Sequence, residues 1–256
     1  MIQGFYSARS ALIRKQKGLN VIANNIANIN TIGFKKSYAS FADALYYEKN
    51  KNYPNDINVT YQMGSGTYFT TITRDFTPGA IVETGGKLDL ALDQEGFFAI
   101  QGVDNEELYT RGGKFTFSVT DDDDVKTIVN ELGYSLLDED GDLIEIPADV
   151  HDVTIDLQGD VHYLGQDSPQ KIGVVNFMDP TNLEVQSYGI YRQTESSGAA
   201  NPAEDTNVRQ GFLEMSNVDN AYEVVELIKA QRVFSLNSKV VQTVDELASM
   251  SNRLRK

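Results

Sequence analysis

Apolar residues recur at alternating spacings of three and four at both ends of the chain, and this pattern is not found between them. The first series is Phe5, Ala8, Leu12, Leu19, Ile22, Ile26 and Ile29, with Lys15 as its polar member; the second is Val233, Leu236, Val240, Leu247, Met250 and Leu254, with Thr243 as its weak member. Such a seven-residue repeat predicts a helix with one apolar side that needs a partner helix. The two ends are therefore expected to pair with each other or with copies of themselves, which indicates an assembling protein.

The middle of the chain contains instead short segments with the composition of β-strands. Five segments rich in β-branched and aromatic residues are expected as strands: Thr67–Thr73, Leu88–Leu92, Phe97–Gln101, Lys114–Val119 and Val153–Leu157. Turn signals such as Pro78-Gly79 and Asp140-Gly141 separate them. No helical period alternates with these strands, so the sequence favours antiparallel pairing, in a sandwich or an irregular barrel, over a parallel sheet.

These patterns together predict an α+β protein. Residues 1–45 and 209–256 are expected to form a helical core domain in which the terminal helices pair in a coiled-coil-like manner. Residues 46–208 are expected to form an inserted, mostly antiparallel β domain with flanking connectors, one from about Tyr46 to Ser65 and the other from Thr194 to Asn207.

Charge is distributed unevenly along the chain, whose formal net charge is −15. Residues 1–50 carry a balance of +5, residues 51–209 carry −20 and residues 210–256 carry 0. An acidic middle between neutral or basic ends indicates that the ends associate while the middle faces solvent. It argues against nucleic-acid binding, which requires a basic patch.

Several kinds of chemistry find no support in the sequence. The chain has no cysteine, two histidines, no phosphate-binding loop and no nucleophile elbow. The stretch Asp138-Glu139-Asp140-Gly141-Asp142 is similar to a calcium loop, but its glycine stands at the fourth position rather than the sixth, so a hairpin turn is the better interpretation. We therefore expect no catalytic residue, cofactor or metal. No apolar run long enough for a membrane span and no cleavable signal peptide are visible.

An asparagine-rich turn follows the first predicted helix. Asn24, Asn25, Asn28 and Asn30 precede Gly33 within two turns' length. Asn and Gly tolerate left-handed backbone, so Asn28 or Asn30 with Gly33 makes a plausible helix end. Asn24 and Asn25 lie inside the heptad pattern, where polar side chains can satisfy a neighbouring backbone or fix the packing register.

Three blocks of the sequence resemble one known family. The first is Asn24-Asn25-Ile26-Ala27-Asn28 with Thr31, Gly33, Phe34 and Lys35; the second runs from Phe76-Thr77-Pro78-Gly79 through Tyr109-Thr110-Arg111 to Phe115; the third contains Gly211, Leu213, Glu214, Ser216-Asn217-Val218, Ala230-Gln231-Arg232 and Asn237-Ser238-Lys239. In this order they resemble the bacterial flagellar axial proteins of the rod, hook and hook-associated class. The acidic run Asp121–Asp124 has no counterpart in the family pattern.

The resemblance implies a structural role rather than an enzymatic one. Length and body motifs are similar to the rod proteins, with the distal rod type first and the proximal type, or the hook subunit, as alternatives. It implies polymerisation through the terminal helices into a hollow, torque-transmitting shaft in the basal body. The implied partners are copies of the chain, neighbouring rod and hook proteins, the surrounding bushing rings and the export apparatus, with no nucleic acid and no membrane insertion. A β-rich carbohydrate-binding or hydrolytic module that only oligomerises through its helices is the alternative from another class.

The assembly interface is expected to combine the helix seams with the polar residues of the signature. These residues are Phe5, Leu12, Leu19, Ile22, Asn24, Asn25, Ile26, Asn28, Gly33, Phe34, Ser216, Asn217, Val218, Val225, Ile228, Gln231, Arg232, Val233, Leu236, Asn237, Val240, Leu247 and Leu254. An ordinary intramolecular core is the competing interpretation for each, because the two helices of one subunit must also bury part of this surface.

Overall fold

The structure is a computed structural model, and it describes residues 2–254 apart from 44, 53–57, 65–66, 104, 120–124, 151, 164–168, 188 and 204–205. The chain forms two compact units. Unit 1 comprises Met1–Ala27, Ser37–Thr73 and Asp219–Lys256, and unit 2 comprises Asn28–Lys36 and Arg74–Val218. The fold is therefore α+β, with helices supplied by the two ends of the chain.

Unit 1 contains two long helices, α1 (Ile2–Ala27) and α2 (Asn220–Arg253). The helix α2 begins at the cap residue Asp219, whose side chain accepts a hydrogen bond from the amide of Tyr222. Glu223 lies in its first turn and Arg253 in its last, and both charges suit the helix dipole. The two predicted terminal helices are thus confirmed, and they pack against each other.

Four strands complete unit 1: β1 (Ser37–Asp43), β2 (Tyr46–Asn52), β3 (Asn58–Gly64) and β4 (Thr67–Arg74). β1 pairs with β4, and β2 pairs with β3. The prediction of a connector from about Tyr46 to Ser65 was wrong, because β2 and β3 form an antiparallel pair from Tyr46↔Gly64 to Asn52↔Asn58. Its Lys and Asn content resembles a linker, but seven consecutive paired positions satisfy the backbone as a ladder.

Unit 2 is built from short strands and one short helical turn. The strands are β5 (Ile81–Glu83), β6 (Leu90–Leu92), β7 (Phe97–Gln101), β8 (Glu107–Thr110), β9 (Phe115–Val119), β10 (Val125–Asn130), β11 (Ser135–Leu136), β12 (Glu145–Pro147), β13 (Val153–Ile155), β14 (Asp160–Tyr163), β15 (Gln170–Lys171), β16 (Val174–Asn176), β17 (Glu184–Ser187), β18 (Ile190–Arg192), β19 (Asn201–Pro202), β20 (Val208–Gln210) and β21 (Phe212–Glu214). A 3₁₀ turn covers Pro180–Asn182.

Ten of these strands form one sheet. Seven run in the order β12-β10-β11-β7-β8-β18-β17, while β9 pairs with β10, β16 with β7, and β19 with β16. Smaller sheets contain β13-β14-β15, β20-β6 and β21-β5. The pairings within unit 2 are antiparallel, as the sequence predicted. The five segments expected as strands are confirmed as β4, β6, β7, β9 and β13, with small changes at their ends.

The interior of unit 2 has two hydrophobic clusters. The larger is mainly aliphatic and includes Leu90, Ile100 and Ile128. In the smaller, the rings of Phe97 and Tyr191 lie edge to face with their centroids 5.6 Å apart. Burial raises the pKa of Tyr191 to about 12. Alternation along the strands places these side chains inward, which gives unit 2 a core of its own.

The structure supports the hairpin interpretation of the acidic stretch at Asp138. Its carboxylate accepts hydrogen bonds from the amides of Asp140 and Asp142 at 3.0 and 2.8 Å. Gly141 has a φ of 88°, which suits a glycine in a turn. The acidic run Asp121–Asp124 and His151, one of the two histidines of the chain, lie outside the described residues.

Candidate assembly interface

The helix α2 has two opposite faces that differ in exposure. The half-buried residues of one face are Leu227, Ala230, Phe234, Asn237, Val241 and Val244, at alternating spacings of three and four. Since α2 packs against α1, we call this the inner face of α2. Asn237, predicted at the interface, therefore lies on the inner face.

The other face of α2 is apolar and exposed. Most of the predicted C-terminal seam residues lie there or on its flanks: Val225, Ile228, Val233, Leu236, Val240, Leu247 and Leu254, with between 37 and 89 % of each side chain accessible. We call this set, together with Met250, the outer face of α2. A helix with apolar residues on two sides is typical of an element that packs between two neighbours. Gln231 and Arg232 are also exposed.

The predicted residues of α1 are more sheltered. Leu12, Leu19, Ile22 and Ile26 are half-buried, whereas Ile13 beside them is exposed. Phe5 belongs to the helix, but its side chain lies outside the described part. These half-buried side chains fit the intramolecular packing of α1 and leave part of their surface open to further contact.

Asn25 joins α1 to the start of β1. Its side-chain nitrogen donates to the carbonyl of Ser37 at 2.9 Å and its oxygen accepts from the amide of Ser37 at 3.0 Å. The same nitrogen lies 3.4 Å from Oε2 of Glu223, in the first turn of α2. Asn25 and Glu223 are both almost completely buried, whereas Asn24 is exposed. Asn25 thus acts like a strand partner for Ser37, within unit 1.

The turn after α1 belongs to unit 2, and it is tightly held. The amide of Thr31 donates to the carbonyl of Asn28, and the Thr31 hydroxyl donates to the Asn28 side chain. Gly33 is buried with a φ of +66°, and its amide donates to the carbonyl of Glu214 at 2.9 Å. A Cβ at Gly33 would stand 2.6 Å from the backbone of Arg111, so only glycine fits there. Phe34 is half-buried.

The predicted block Ser216-Asn217-Val218 likewise makes contacts inside unit 2. The side chain of Asn217 accepts from the amide of Lys36 at 2.8 Å and donates to the carbonyls of Asp75 and Thr77. The Ser216 hydroxyl accepts from the amide of Val218, whose side chain is buried. The predicted interface thus contains two different groups of residues. One group is the exposed apolar residues of α2, and the other is polar residues whose contacts stabilise the fold of their own unit.

A buried ion cluster lies at the centre of these contacts. Lys35 Nζ is 2.8 Å from Glu214 Oε1, and Arg111 Nε is 2.5 Å from Glu214 Oε2. Glu214 also accepts from the amide of Gly79 at 2.7 Å, while Lys35 donates to the carbonyl of Thr77 at 2.7 Å. At most 2 % of each of the three charged side chains is accessible. Every charge is therefore paired, as burial requires.

Burial and neighbouring charges shift the pKa values of Glu214 and Lys35 in opposite directions. Burial alone would raise the pKa of Glu214, but Arg111, Lys35 and the amide of Gly79 outweigh it and hold that pKa below its ordinary 4.5. Burial lowers the pKa of Lys35 below 10.5, against the attraction of Glu214. The carboxylate is ionised at neutral pH and serves as the common partner of both cations.

The ion cluster was missed by the sequence prediction of site residues. Its three members each come from a different signature block, and each follows apolar or small residues: Gly33-Phe34-Lys35, Tyr109-Thr110-Arg111 and Phe212-Leu213-Glu214. A charge at the end of an apolar strand is a signal for a buried ion pair, but the spacing along the chain does not reveal which cation meets which carboxylate.

Three family models match the chain along its length. They are "Flagella basal body rod protein" over residues 5–35, "Flagellar hook protein FlgE/F/G D1 domain" over residues 91–163 and "Flagellar basal body rod FlgEFG protein C-terminal" over residues 209–254. The first and third cover most of α1 and α2, and the second covers much of the ten-stranded sheet.

Full-length relatives show the same relationship. The chain is 36 % identical to the flagellar basal-body rod protein FlgG of Bacillus subtilis, over 96 % of this chain and 97 % of the relative. It is 35 % identical to the FlgG protein of Agrobacterium fabrum with the same coverage. The flagellar basal-body rod protein FlgF of Caulobacter vibrioides is 32 % identical, over 97 % of this chain and 96 % of the relative.

The α+β fold with helical ends and the three matched segments define a rod and hook type of axial protein. The chain belongs to the family of flagellar basal-body rod proteins, and within that family it is of the distal rod type. It is accordingly a structural subunit of the flagellar rod. Among the described residues, no helix combines the length and apolar content needed to cross a bilayer.

Proposed function

We propose that the subunit polymerises through α1 and α2 into a hollow helical shaft that transmits motor torque. The observation that carries this proposal is the outer face of α2, a row of large apolar side chains on the side opposite to the inner face. Burying it against neighbouring copies would gain roughly 25 cal/mol for each Å² removed from water. The pairing of α1 and α2 would then be completed as a coiled-coil-like inner wall only in the polymer.

Unit 2 suits a load-bearing role. Its interior has two packed clusters, and its ion cluster ties the turn after α1, the end of β8 and the end of β21 together. We assign no catalytic role to this cluster, because its charged groups are buried and paired with each other. Within the described ranges, no three His, Cys, Asp or Glu side chains are grouped so as to hold a metal ion.

The partners follow from the family. The subunit contacts copies of itself and the neighbouring rod and hook proteins of the basal body. We extend this to the bushing rings around the shaft and to the export apparatus, which would pass the chain in an unfolded state. The signature residues Asn25, Asn28, Gly33 and Asn217 would then contribute to assembly indirectly, by fixing the fold that presents the helices.

The outer face of α2 can be tested with two charges placed in its apolar row. The variant Leu236→Asp/Leu247→Asp should fold but fail to polymerise, because each carboxylate would have to be desolvated in the polymer. The matched control is Gln242→Asp/Ser249→Asp, which adds the same charge at exposed polar positions of the same helix.

Sedimentation of the purified subunit and motility of complemented cells give the readouts. Both variants should keep the stability of the free subunit within about 0.5 kcal/mol, as is usual for surface changes. Polymers that form equally well with the outer-face variant and with its control would overturn the proposal.

A further inference from the structure

Unit 2 contains an open cleft that the proposed assembly through the helices does not use. Its walls are Asp93 after β6, the turn Asp156-Leu157-Gln158 between β13 and β14, and the strands β20 and β21. The cleft has a volume of about 680 Å³, within the roughly 300–1,000 Å³ of typical ligand sites. It adjoins a hollow of about 170 Å³, and Gln158 and Asn207 line both. An extended ligand therefore has room to continue from one into the other.

Hydrogen bonds hold the segments around the cleft together. The side chain of Gln210 in β20 accepts from the amide of Ile155 at 3.1 Å and donates to the carbonyl of Val153 at 2.8 Å. The amide of Val208 donates to the carbonyl of Leu157 at 3.0 Å, so β20 is joined to the turn as well. Because these contacts fix the lining in the free subunit, a ligand avoids the entropy cost of ordering it.

Part of the lining is apolar. Leu157 is 55 % exposed and the side chain of Phe212 is half-buried, so both leave apolar surface open in the cleft. Ile155 and Val208, which also line the cleft, are buried. The face of an aromatic ring carries partial negative charge and attracts C–H groups, which carry partial positive charge. Phe212 and Leu157 thus form a surface suited to a ligand with flat faces rich in C–H groups.

Polar groups of the lining keep hydrogen-bonding capacity. Each carboxylate oxygen of Asp93 accepts one bond from Asn207, at 3.3 and 3.2 Å, and retains a second lone pair. Arg209 Nη2 lies 3.8 Å from Asp93 Oδ2, which is beyond hydrogen-bond distance. Within the described part of the chain, the guanidinium of Arg209 and the carboxamide of Gln158 make no hydrogen bond. The cleft therefore presents donors and acceptors side by side.

The charges of the lining disfavour other classes of ligand. Two carboxylates, Asp93 and Asp156, stand against one cation, Arg209, so there is no excess of positive charge to hold a phosphate or a nucleic acid. A neutral molecule rich in hydroxyl groups fits better, because each hydroxyl both donates and accepts hydrogen bonds. Sugar rings combine such hydroxyls with faces rich in C–H groups.

We propose that the cleft binds a neutral, linear oligosaccharide. One sugar ring packs against Phe212 and Leu157. Its hydroxyls bond to Arg209, Asp93 and Gln158, and the next ring lies in the adjoining hollow. The open shape of the cleft suits a chain that continues beyond the bound rings. The site lies entirely in unit 2, so this binding is a further function of the subunit and does not depend on polymerisation through the helices.

Calorimetric titration of the free, full-length subunit tests the binding. Chitohexaose and cellohexaose are the probes, and comparison of the two shows whether N-acetyl groups contribute. At least one of them should bind with a dissociation constant at or below about 1 mM. Hexalysine represents a cationic peptide, which the two carboxylates would attract instead. Binding of hexalysine without binding of either sugar, or binding of none of the three, overturns the proposal.

Two substitutions in the lining locate the binding. Arg209→Ala/Gln158→Ala removes two exposed side chains without hydrogen bonds to described residues, so the fold should persist while the affinity for the sugar falls at least tenfold. The matched control Arg9→Ala/Gln16→Ala removes the same two side chains from exposed positions of α1 and should bind as the wild type does. Circular dichroism and the thermal midpoint check that both variants are folded. Equal affinities of the cleft variant and its control overturn the proposed site.

An added tryptophan provides a signal that does not depend on weakened binding. The chain has no tryptophan, so Leu157→Trp gives the cleft the only one. Its larger ring should tighten sugar binding severalfold, and its fluorescence should change as the sugar is added. Leu132→Trp, at an exposed position outside the cleft, is the control and should show no change. A constant signal from Leu157→Trp contradicts the proposal. Failure of the wild-type subunit to polymerise would overturn the proposed function alone.

Discussion

Lys35 and Glu214 lie 179 residues apart in the chain, yet Nζ of the lysine is 2.8 Å from Oε1 of the glutamate in the interior of unit 2. The pair brings the N-terminal and C-terminal signatures of the family into one contact, and Arg111 adds the signature of the β body. The residues by which the family is recognised are therefore, in this cluster, residues that hold the fold.

Removing the shared carboxylate should destabilise unit 2 strongly. In Glu214→Gln the cations of Lys35 and Arg111 stay buried without a counter-charge, which costs about 3–5 kcal/mol. Urea unfolding of the free subunit measures this loss. The control Glu83→Gln changes an exposed residue of β5, the strand that pairs with β21, and should alter the free energy of unfolding by less than about 0.5 kcal/mol. Equal losses for the two variants would show that the cluster does not stabilise the fold.

The same carboxylate should make stability depend on acid pH. Because the pKa of Glu214 is lowered by folding, its ionised form stabilises the native state above the ordinary value of 4.5. That stabilisation is lost as pH falls from there through the lowered pKa of the folded state. Urea unfolding between pH 7 and pH 3 should show a smaller acid-dependent loss for Glu214→Gln than for the wild type. If the free energies of unfolding of the two proteins fall in parallel with pH, the pKa of Glu214 is not lowered by folding.

Two glycines with similar φ angles, Gly33 and Gly85, allow the cost of backbone strain to be measured separately from the cost of a steric clash. Gly33→Ala should destabilise the subunit by more than the roughly 1–3 kcal/mol of a strained backbone, because its Cβ would also meet the backbone of Arg111 at 2.6 Å. Gly85 has a φ of +70° with nothing within 4 Å of an added Cβ, so Gly85→Ala carries the backbone strain alone. Thermal unfolding compares the two variants. If Gly85→Ala loses as much stability as Gly33→Ala, the close approach to the backbone of Arg111 does not contribute.

Asn25 should contribute to stability within unit 1. Asn25→Ala leaves the amide and carbonyl of buried Ser37 without that partner side chain, at a cost of about 1–3 kcal/mol for each group left unsatisfied. Asn20→Ala changes an exposed asparagine on the same helix and should be nearly neutral or slightly stabilising, since Ala is the better helix former. Chemical unfolding of both variants makes the comparison, and identical midpoints would refute the role of Asn25.

The helices should gain order when the subunit polymerises. Their outer residues are exposed in the single chain, and helices with an unburied apolar side are marginal in water. Circular dichroism at 222 nm should therefore show a larger helical signal per residue in the polymer than in the free subunit. The outer-face variant Leu236→Asp/Leu247→Asp, kept under the same conditions, serves as the control and should show no gain. A free subunit already as helical as the polymer would contradict this expectation.

Periodicity along the sequence was enough to predict both helices and five strands. The asparagine-rich turn also marked the end of α1 correctly, since Asn28 and Gly33 follow its last residue, Ala27. Such features depend on neighbouring residues only, so a single sequence contains the information.

Features that depend on distant residues were not predicted. The outer and inner faces of α2 are both apolar, and only the position of α1 tells them apart. The pairing of β2 with β3 was concealed by a polar composition typical of linkers. The ion cluster needs three segments to meet, and no spacing rule connects Lys35, Arg111 and Glu214.

Glu214 lies near the C-terminal end of the chain, and this position limits when the buried ion cluster of unit 2 can form. In a chain that emerges from its N-terminus, Lys35 and Arg111 both come before the carboxylate that pairs with them in the folded subunit. Only when that carboxylate has emerged can the two charges leave water, the amide of Gly33 find its acceptor, and β5 and β6 gain their partners β21 and β20. We therefore expect that a chain cut short before Glu214 cannot bury Lys35 and Arg111 as the complete unit 2 does, because neither cation would have its counter-charge.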